Sequence, residues 1–319
     1  MLSPADFVEK QIVVVSSDTI KKLKLQNENV VVQEWNKIVS KMSCSKIFCF
    51  FVVGDCFIST KLVDKLLSYQ VNVYYLKRNL KPRFLMWTAL EWNYVLRSKQ
   101  YAQEDQIDIA RALVANKIAN QLYLLQSLRT KSPKLLDAIT RIRDVHSSLD
   151  GIHHTDHLRG LEGYVAKLFF AYYFEPLGWY KRMPRTRHDQ INLLLDVWYS
   201  FLYNFIEANL NLYGFDVYKW VYHTLFYERK SLVCDLVEPF RCLIDKQIRK
   251  SYNLWKIKMD ELVFQNHEYH IPLQHRQKYM QILLEPILAH KLDIFTYIKS
   301  YYKTIMADDA VVTPFYLAQ

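Results

Sequence analysis

Residues 105–128 read DQIDIARALVANKIANQLYLLQSL, and the fold turns on that stretch. Ile107, Ala110, Val114, Ile118, Leu122 and Leu125 recur at spacings of three and four, which sets them on one stripe of an α-helix. The same period continues downstream. It predicts helices over 133–145, 155–173, 190–212, 231–250, 273–284 and 292–306, and a total of six glycines suits a mostly helical protein. Upstream the period changes. Residues 11–16, 29–33, 46–53 and 71–76 are rich in Val, Ile, Phe and Tyr and read as strands. Between the last two, Leu62, Val63, Leu66 and Leu67 mark a helix over 60–69 with Thr60 as its cap. The basic stretch 77–83 reads as a linker. The expected fold class is α+β: a small β-rich N-terminal domain at residues 1–85, then a large all-α domain at 86–319.

Composition narrows the function classes. Of the 319 residues, 51% are apolar and 23% charged, which excludes disordered and fibrous chains. Apolar runs such as 47–54 and 168–174 are too short to span a bilayer, and no export signal is expected at the N-terminus. Cys44, Cys49, Cys56, Cys234 and Cys242 are odd in number and form no Cys-x-x-Cys pair, against a disulfide framework or a cysteine zinc ribbon. A soluble, reduced, cytoplasmic protein is expected. Lys and Arg number 42 against 32 Asp and Glu, so the net charge of +10 favours polyanionic partners.

Three stretches could carry chemistry. On the helix over 155–173, Leu158, Glu162, Val165 and Phe169 share a face, so Glu162 points into an apolar stripe. A carboxylate there must be protonated, salt-bridged or metal-bound, with Arg159 the nearest ordinary partner. Gly160 and Gly163 flank it at a cost of about 1 kcal/mol each in a helix, which makes sense if a backbone or a ligand approaches closely. Downstream stand His223, Asp235 and Glu238, with Asp235 and Glu238 three apart among apolar residues and Pro239 kinking or opening a helix. One histidine with two or three carboxylates suits Mg²⁺ or Mn²⁺. A buried acidic pair held by Arg241 and Arg229, beside a core histidine, stands equally open. Between these stretches, residues 179–188 set Lys181, Arg182, Arg185 and Arg187 among aromatics around Pro184, the composition of an extended phosphate-binding loop or of a solvated one. His146, His153, His154 and His157 lack a second ligand pair at zinc-finger spacing, and read instead as the loop before a helix capped by Thr155 or Asp156.

Taken in order, Leu158-Arg159-Gly160-Leu161-Glu162-Gly163, His223, Ser231-Leu232 and Asp235-Leu236-Val237-Glu238-Pro239-Phe240-Arg241 resemble the CRISPR-associated adaptation integrase and endonuclease family, the first-numbered CRISPR-associated protein. The Arg-rich stretch leading to Asn192 and three leucines, and Lys117, Asn120 and Gln121 on the long helix, fit the same family. Two segments depart from its pattern: His188-Asp189-Gln190-Ile191, where Asp-Pro is usual, and Gly214 to Trp220, without the usual Pro and second Gly.

The resemblance implies metal ligands at Glu162, His223 and Glu238, with Asp235 supporting them or binding a second ion. It implies DNA-backbone contacts from Lys181, Arg182, Arg185, Arg187, Arg229 and Arg241. The reaction implied is metal-dependent (Mg²⁺ or Mn²⁺) transesterification joining the 3′-hydroxyl ends of a foreign DNA fragment, the prespacer, to a CRISPR repeat at its leader, with associated endonuclease activity. The partners implied are double-stranded DNA, a second copy of the chain met through the N-terminal domain, and a small companion, the second-numbered CRISPR-associated protein; no membrane is involved. Two other readings stay open: a non-catalytic DNA-binding scaffold and a general nuclease for branched DNA. The tail over 308–319 can dock on a partner or fold back.

Overall fold

The computed structural model describes residues 2–16, 19–87, 93–103, 106–223, 229–307 and 312–317. Its first part runs α1 (Pro4–Val8), β1 (Gln11–Ser16), β2 (Lys21–Gln26), β3 (Asn29–Glu34), β4 (Lys37–Ser43), β5 (Ile47–Val53), β6 (Cys56–Ile58), α2 (Thr60–Ser68), β7 (Asn72–Leu76) and β8 (Pro82–Met86). The four strands expected from the sequence are all present, and β2, β4, β6 and β8 join them. Their signal is faint because β2 buries only Leu23 and β4 buries nothing. Ser59, not Thr60, caps α2 by accepting the Leu62 N–H. The stretch 77–83 is not a linker. It is the turn of the β7–β8 hairpin, where Lys77 N–H donates to Lys81 O at 2.9 Å and buried Leu80 takes a left-handed φ of 62°.

One sheet has the order β1-β5-β7-β8, parallel except for the β7–β8 pair, and the other β4-β3-β2-β6. They enclose a core of Leu23, Val30, Val32, Phe50, Val52, Leu62, Leu66 and Val73. The central strand β5 is buried along its whole length because its other side chains, Phe48, Phe51 and Val53, belong to the core of the helical part.

That part comprises α3 (Tyr94–Ala102), α4 (Ile107–Gln126), α5 (Pro133–Ser148), α6 (Thr155–Tyr173), α7 (Gln190–Tyr213), α8 (Ser231–Val237), α9 (Arg241–Asn253), a hairpin of β9 (Val263–Gln265) and β10 (Glu268–His270), α10 (Leu273–Ala289) and α11 (Lys291–Ala307). The α+β expectation therefore holds, with strands to Met86 and mostly helices after it. Phe51 packs on Phe201 of α7 at 5.0 Å between ring centroids, and Tyr74 donates to the Asn204 carbonyl at 2.8 Å, so the sheet sits directly on the longest helix.

The single helix expected over 231–250 is two. Residues 238–240 form a 3₁₀ turn between α8 and α9, as the missing N–H of Pro239 requires. The Pro239 carbonyl accepts from Asn120 Nδ2 of α4 at 3.0 Å. Residues 312–317 fold back: Asn116 and Asn120 receive the Phe315 and Leu317 N–H groups and donate to the Phe315 carbonyl, and Phe315 stacks on Phe240 at 4.6 Å. The helix start expected at 105, and tail residues 308–311 and 318–319, lie outside the described residues.

Candidate active site

Four elements meet at one place. Helix α4 brings Lys117, α6 brings Glu162, the segment after α7 brings Tyr222 and His223, and the α8–α9 junction brings Asp235, Glu238 and Arg241. Lys117 Nζ donates to Glu162 Oε1 and lies 2.6 Å from Glu238 Oε2. Arg241 reaches Glu238 Oε1 at 3.0 Å, and the Tyr222 hydroxyl donates to Glu162 Oε2 at 3.1 Å. The ordinary partner considered for Glu162 is engaged elsewhere: Arg159 pairs with Asp156 at 2.7 Å and donates to the Tyr222 carbonyl.

The kink at Pro239 matters here because it leaves Glu238 buried between two cations. Burial works to raise its carboxyl, but Arg241, Lys117 and His223 outweigh burial and hold it at about 2. Burial likewise works to lower the Lys117 ammonium, and Glu238 and Glu162 more than reverse that, so Lys117 stays charged. The site is a compact set of fixed charges.

His223 is oriented by Asp235, which is fully buried. The backbone N–H groups of Val221 and Tyr222 donate to Asp235 Oδ2 at 2.7 and 3.1 Å, and that of His223 donates to Oδ1 at 3.0 Å. The His223 Nδ1–H also meets Oδ1 at 2.5 Å. Both Asp235 oxygens thus accept from this segment, and Asp235 orients His223. The segment carrying His223 is held from α3, where Gln100 exchanges hydrogen bonds with Asp216 O and N at 2.8 and 3.0 Å, and Arg97 donates to the Gly214 carbonyl. These contacts fix the path of a segment that lacks the usual Pro and second Gly.

Among the described residues no three His, Cys, Asp or Glu side chains converge into a ready-made cation site, and the two glutamates turn to Lys117 instead. The donor set nonetheless suits a hard divalent cation. Glu238 Oε2 is buried and accepts no hydrogen bond, and His223 Nε2 makes none with any described residue. Among the described residues, a Cβ added at Gly160 or Gly163 would meet nothing within 4 Å, so none of them makes the close approach expected there. The histidine loop before α6 provides no cap through Thr155 or Asp156, since the N-cap position is His154 and makes no side-chain bond.

The basic loop departs most from expectation. Residues 184–186 form a turn, not an extended segment. Arg187 is buried, 4% exposed, and donates to the Asn79 carbonyl at 2.8 Å. Arg182 pairs with Asp196 at 2.5 Å and with Asn192. Arg229 donates to Cys234 Sγ, and Arg241 serves Glu238. Of these four expected DNA contacts, Arg187 is buried and Arg182, Arg229 and Arg241 are half-buried, each engaged by a partner within the chain. Lys181 and Arg185 are exposed, with no ion pair among the described residues. Asp189 stands where the sequence departs from Asp-Pro, and it caps α7 by accepting the Asn192 N–H at 2.7 Å.

Sequence reasoning placed Lys117 on the long helix but not in the site, and it missed Tyr222. One signal could have found the lysine. Its neighbours three and four residues away are Leu113, Val114, Asn120 and Gln121, so no carboxylate on its own helix can pair with it.

Residues 13–285 match the family model described as "CRISPR associated protein Cas1". The chain belongs to the CRISPR-associated Cas1 family. A curated member, "CRISPR-associated endonuclease Cas1 1" of Thermodesulfovibrio yellowstonii, is 31% identical over 219 residues, covering 65% of this chain and 68% of that protein. In fold, the chain is similar to the solved "Cas6-RT-Cas1--Cas2 complex", with a TM-score of 0.83 at 19% identity over 96% of this chain and 36% of that one. It is also similar to a "Casposase bound to integration product", with a TM-score of 0.77 at 15% identity over 97% and 95% of the two chains. Among the described residues, no helix is long and apolar enough to cross a membrane.

Proposed function

We propose that this Cas1-family chain is the strand-transfer subunit of CRISPR adaptation, a metal-dependent integrase that joins the 3′-hydroxyl ends of a prespacer to a CRISPR repeat. The observation that carries the reading is the meeting of Glu162 on α6 and Glu238 at the α8–α9 turn on one lysine, with His223 held by Asp235. Curated relatives named as endonucleases, and fold likeness to a casposase bound to an integration product, support it.

In the reaction the 3′-oxygen of the fragment forms a bond to the phosphorus of the repeat, and the bond from that phosphorus to the repeat's own 3′-oxygen breaks. One phosphodiester replaces another, so no nucleoside triphosphate is consumed. Glu162, Glu238 and His223 Nε2 would hold Mg²⁺ or Mn²⁺, which lowers the pKa of the attacking hydroxyl and neutralises charge on the phosphate. The chain's own residues do the rest. Asp235 keeps the His223 proton on Nδ1 and frees Nε2. Arg241 keeps Glu238 ionised at any working pH. Lys181 and Arg185 supply exposed charge for the DNA backbone. Assembly with a second copy and with a Cas2-type companion follows the same reading, supported by fold likeness to a chain of the solved Cas6-RT-Cas1--Cas2 complex.

The test is a supercoiled plasmid carrying a CRISPR repeat, incubated with a labelled fragment bearing 3′-hydroxyl ends, with Mg²⁺ or Mn²⁺, with and without the companion. Label joined to plasmid, dependent on metal and on the free hydroxyl, is the expected result. Glu162→Ala abolishes joining while DNA affinity stays within a few-fold. Cleavage without joining favours the branched-DNA nuclease, a reading that the relatives' name keeps in view. DNA binding without reaction, unaffected by chelation, favours the scaffold.

A further inference from the structure

Each of the two site glutamates commits one oxygen to a neutral or cationic neighbour, Glu162 Oε2 to the Tyr222 hydroxyl and Glu238 Oε1 to Arg241. The remaining oxygens, Glu162 Oε1 and Glu238 Oε2, both face the Lys117 ammonium. The Lys117 side chain is 8% exposed, on a helix buried by α6 on one side and the α8–α9 junction on the other. Its contact with Glu238 Oε2 is an ion pair without an aligned hydrogen bond, because that oxygen accepts none. Lys117 is the cation at Glu238 Oε2, 2.6 Å away.

We propose that Lys117 is a built-in counter-ion that competes with the divalent cation for Glu162 Oε1 and Glu238 Oε2, and so sets how tightly the site holds metal. The inference rests on the metal-dependent reading given above. Glu238 is buried and Glu162 half-buried, and the two carboxylates share one ammonium between them. An ammonium supplies one unit, and a divalent cation supplies two at shorter distance from the same oxygens. A divalent cation held by Glu162 and Glu238 would compete with the Lys117 ammonium for those oxygens, and the lysine would have to give them up. Its withdrawal leaves a desolvated ammonium needing a new acceptor, and a phosphate of bound DNA is the acceptor the reaction brings. The lysine therefore weakens metal binding to the free protein and couples metal affinity to DNA, each raising the other's affinity by the same factor.

The experiment is a Mn²⁺ titration of the full chain followed by the electron paramagnetic resonance of free Mn²⁺, on wild type, Lys117→Met and Glu162→Gln, with and without a DNA duplex. Lys117→Met binds Mn²⁺ at least tenfold more tightly than wild type without DNA, and adding DNA tightens wild type while leaving Lys117→Met within twofold. Mn²⁺ also raises the thermal midpoint of Lys117→Met more than that of wild type. Should Lys117→Met fail to fold in chelator, Lys117→Gln, which keeps a polar group of similar length, carries the same comparison. Wild-type binding that Glu162→Gln weakens, with Lys117 variants binding equally or more weakly, overturns the competition and leaves the metal reading standing. Mn²⁺ binding to none of the proteins at millimolar concentration, or binding that Glu162→Gln does not weaken, overturns the metal reading and the lysine's role with it.

Discussion

Glu238 and Asp245 lie seven residues apart on either side of the start of α9, both buried, and they meet opposite fates. At Glu238 burial is outweighed by Arg241, Lys117 and His223, and the carboxyl is held at about 2. At Asp245 burial dominates, and the hydrogen bond from Tyr199, with Arg241, Arg182 and Lys117 further off, leaves it raised to about 7. Its direct partner is the Tyr199 hydroxyl at 2.5 Å, whose ring in turn carries the Arg241 guanidinium at 5.0 Å. Largely the same cations act on both groups. What differs is contact: cations touch Glu238 and only a hydroxyl touches Asp245. Burial alone does not decide a carboxyl's charge; the charge follows the first neighbour, and the molecule places an anion at its candidate active site and a near-neutral acid one layer behind it.

The sharpest way to break this contrast is Glu238→Ala. It leaves the buried Lys117 and the half-buried Arg241 underpaired and lowers the unfolding free energy by about 3–5 kcal/mol in urea titration at pH 7. A loss below about 1 kcal/mol would mean the two cations find water.

Next in size is the pH response. Between about pH 4 and 7 the folded protein keeps a proton on Asp245 that the unfolded chain releases near 3.8, so this group's contribution makes stability fall as pH rises through that window. Glu238 does the reverse: its stabilisation is complete above about pH 4.5 and is lost as pH falls toward 2. Asp245→Asn removes the first slope and leaves the second, as read by thermal midpoints across pH 3–8. An unchanged slope between 5 and 7 refutes the assignment.

Asn120→Ala tests the support behind Glu238. It removes bonds to the Pro239 and Phe315 carbonyls and to the Leu317 N–H, at a cost of about 1–3 kcal/mol, and it frees residues 312–317 for proteolysis. The smallest expected effects separate outward from inward cations. Lys181→Ala leaves stability unchanged and lowers the slope of log DNA affinity against log salt by about 1. Arg187→Ala leaves that slope alone and destabilises the fold by about 1–3 kcal/mol, because its guanidinium serves the Asn79 carbonyl.

Much of this was legible in the chain. The change from strands to helices, α6 from its first residue to its last, and the grouping of Glu162, His223, Asp235 and Glu238 all follow from periodicity and residue type, or from the family those residues resemble. Arginine roles were not legible. Arg182 and Arg187 read as phosphate grips because four cations stand in a short loop, yet Asp196 and the Asn79 carbonyl, which turn them inward, are distant in sequence or belong to the hairpin taken for a linker. The strand β4 escaped because an exposed strand has no buried face to alternate with.

By itself the sequence determined the elements and the chemical inventory, since helix period, caps and a proline break are local properties of a few neighbouring residues. Only the tertiary structure decided what α4 is for. Asn116, Lys117, Asn120 and Gln121 form a polar face, and it is buried because α6, the α8–α9 junction and the returning tail close over it. A polar group gains a partner when chain segments remote in sequence are brought within about 3 Å, and no local pattern encodes that distance. Lys117 became part of the site through packing.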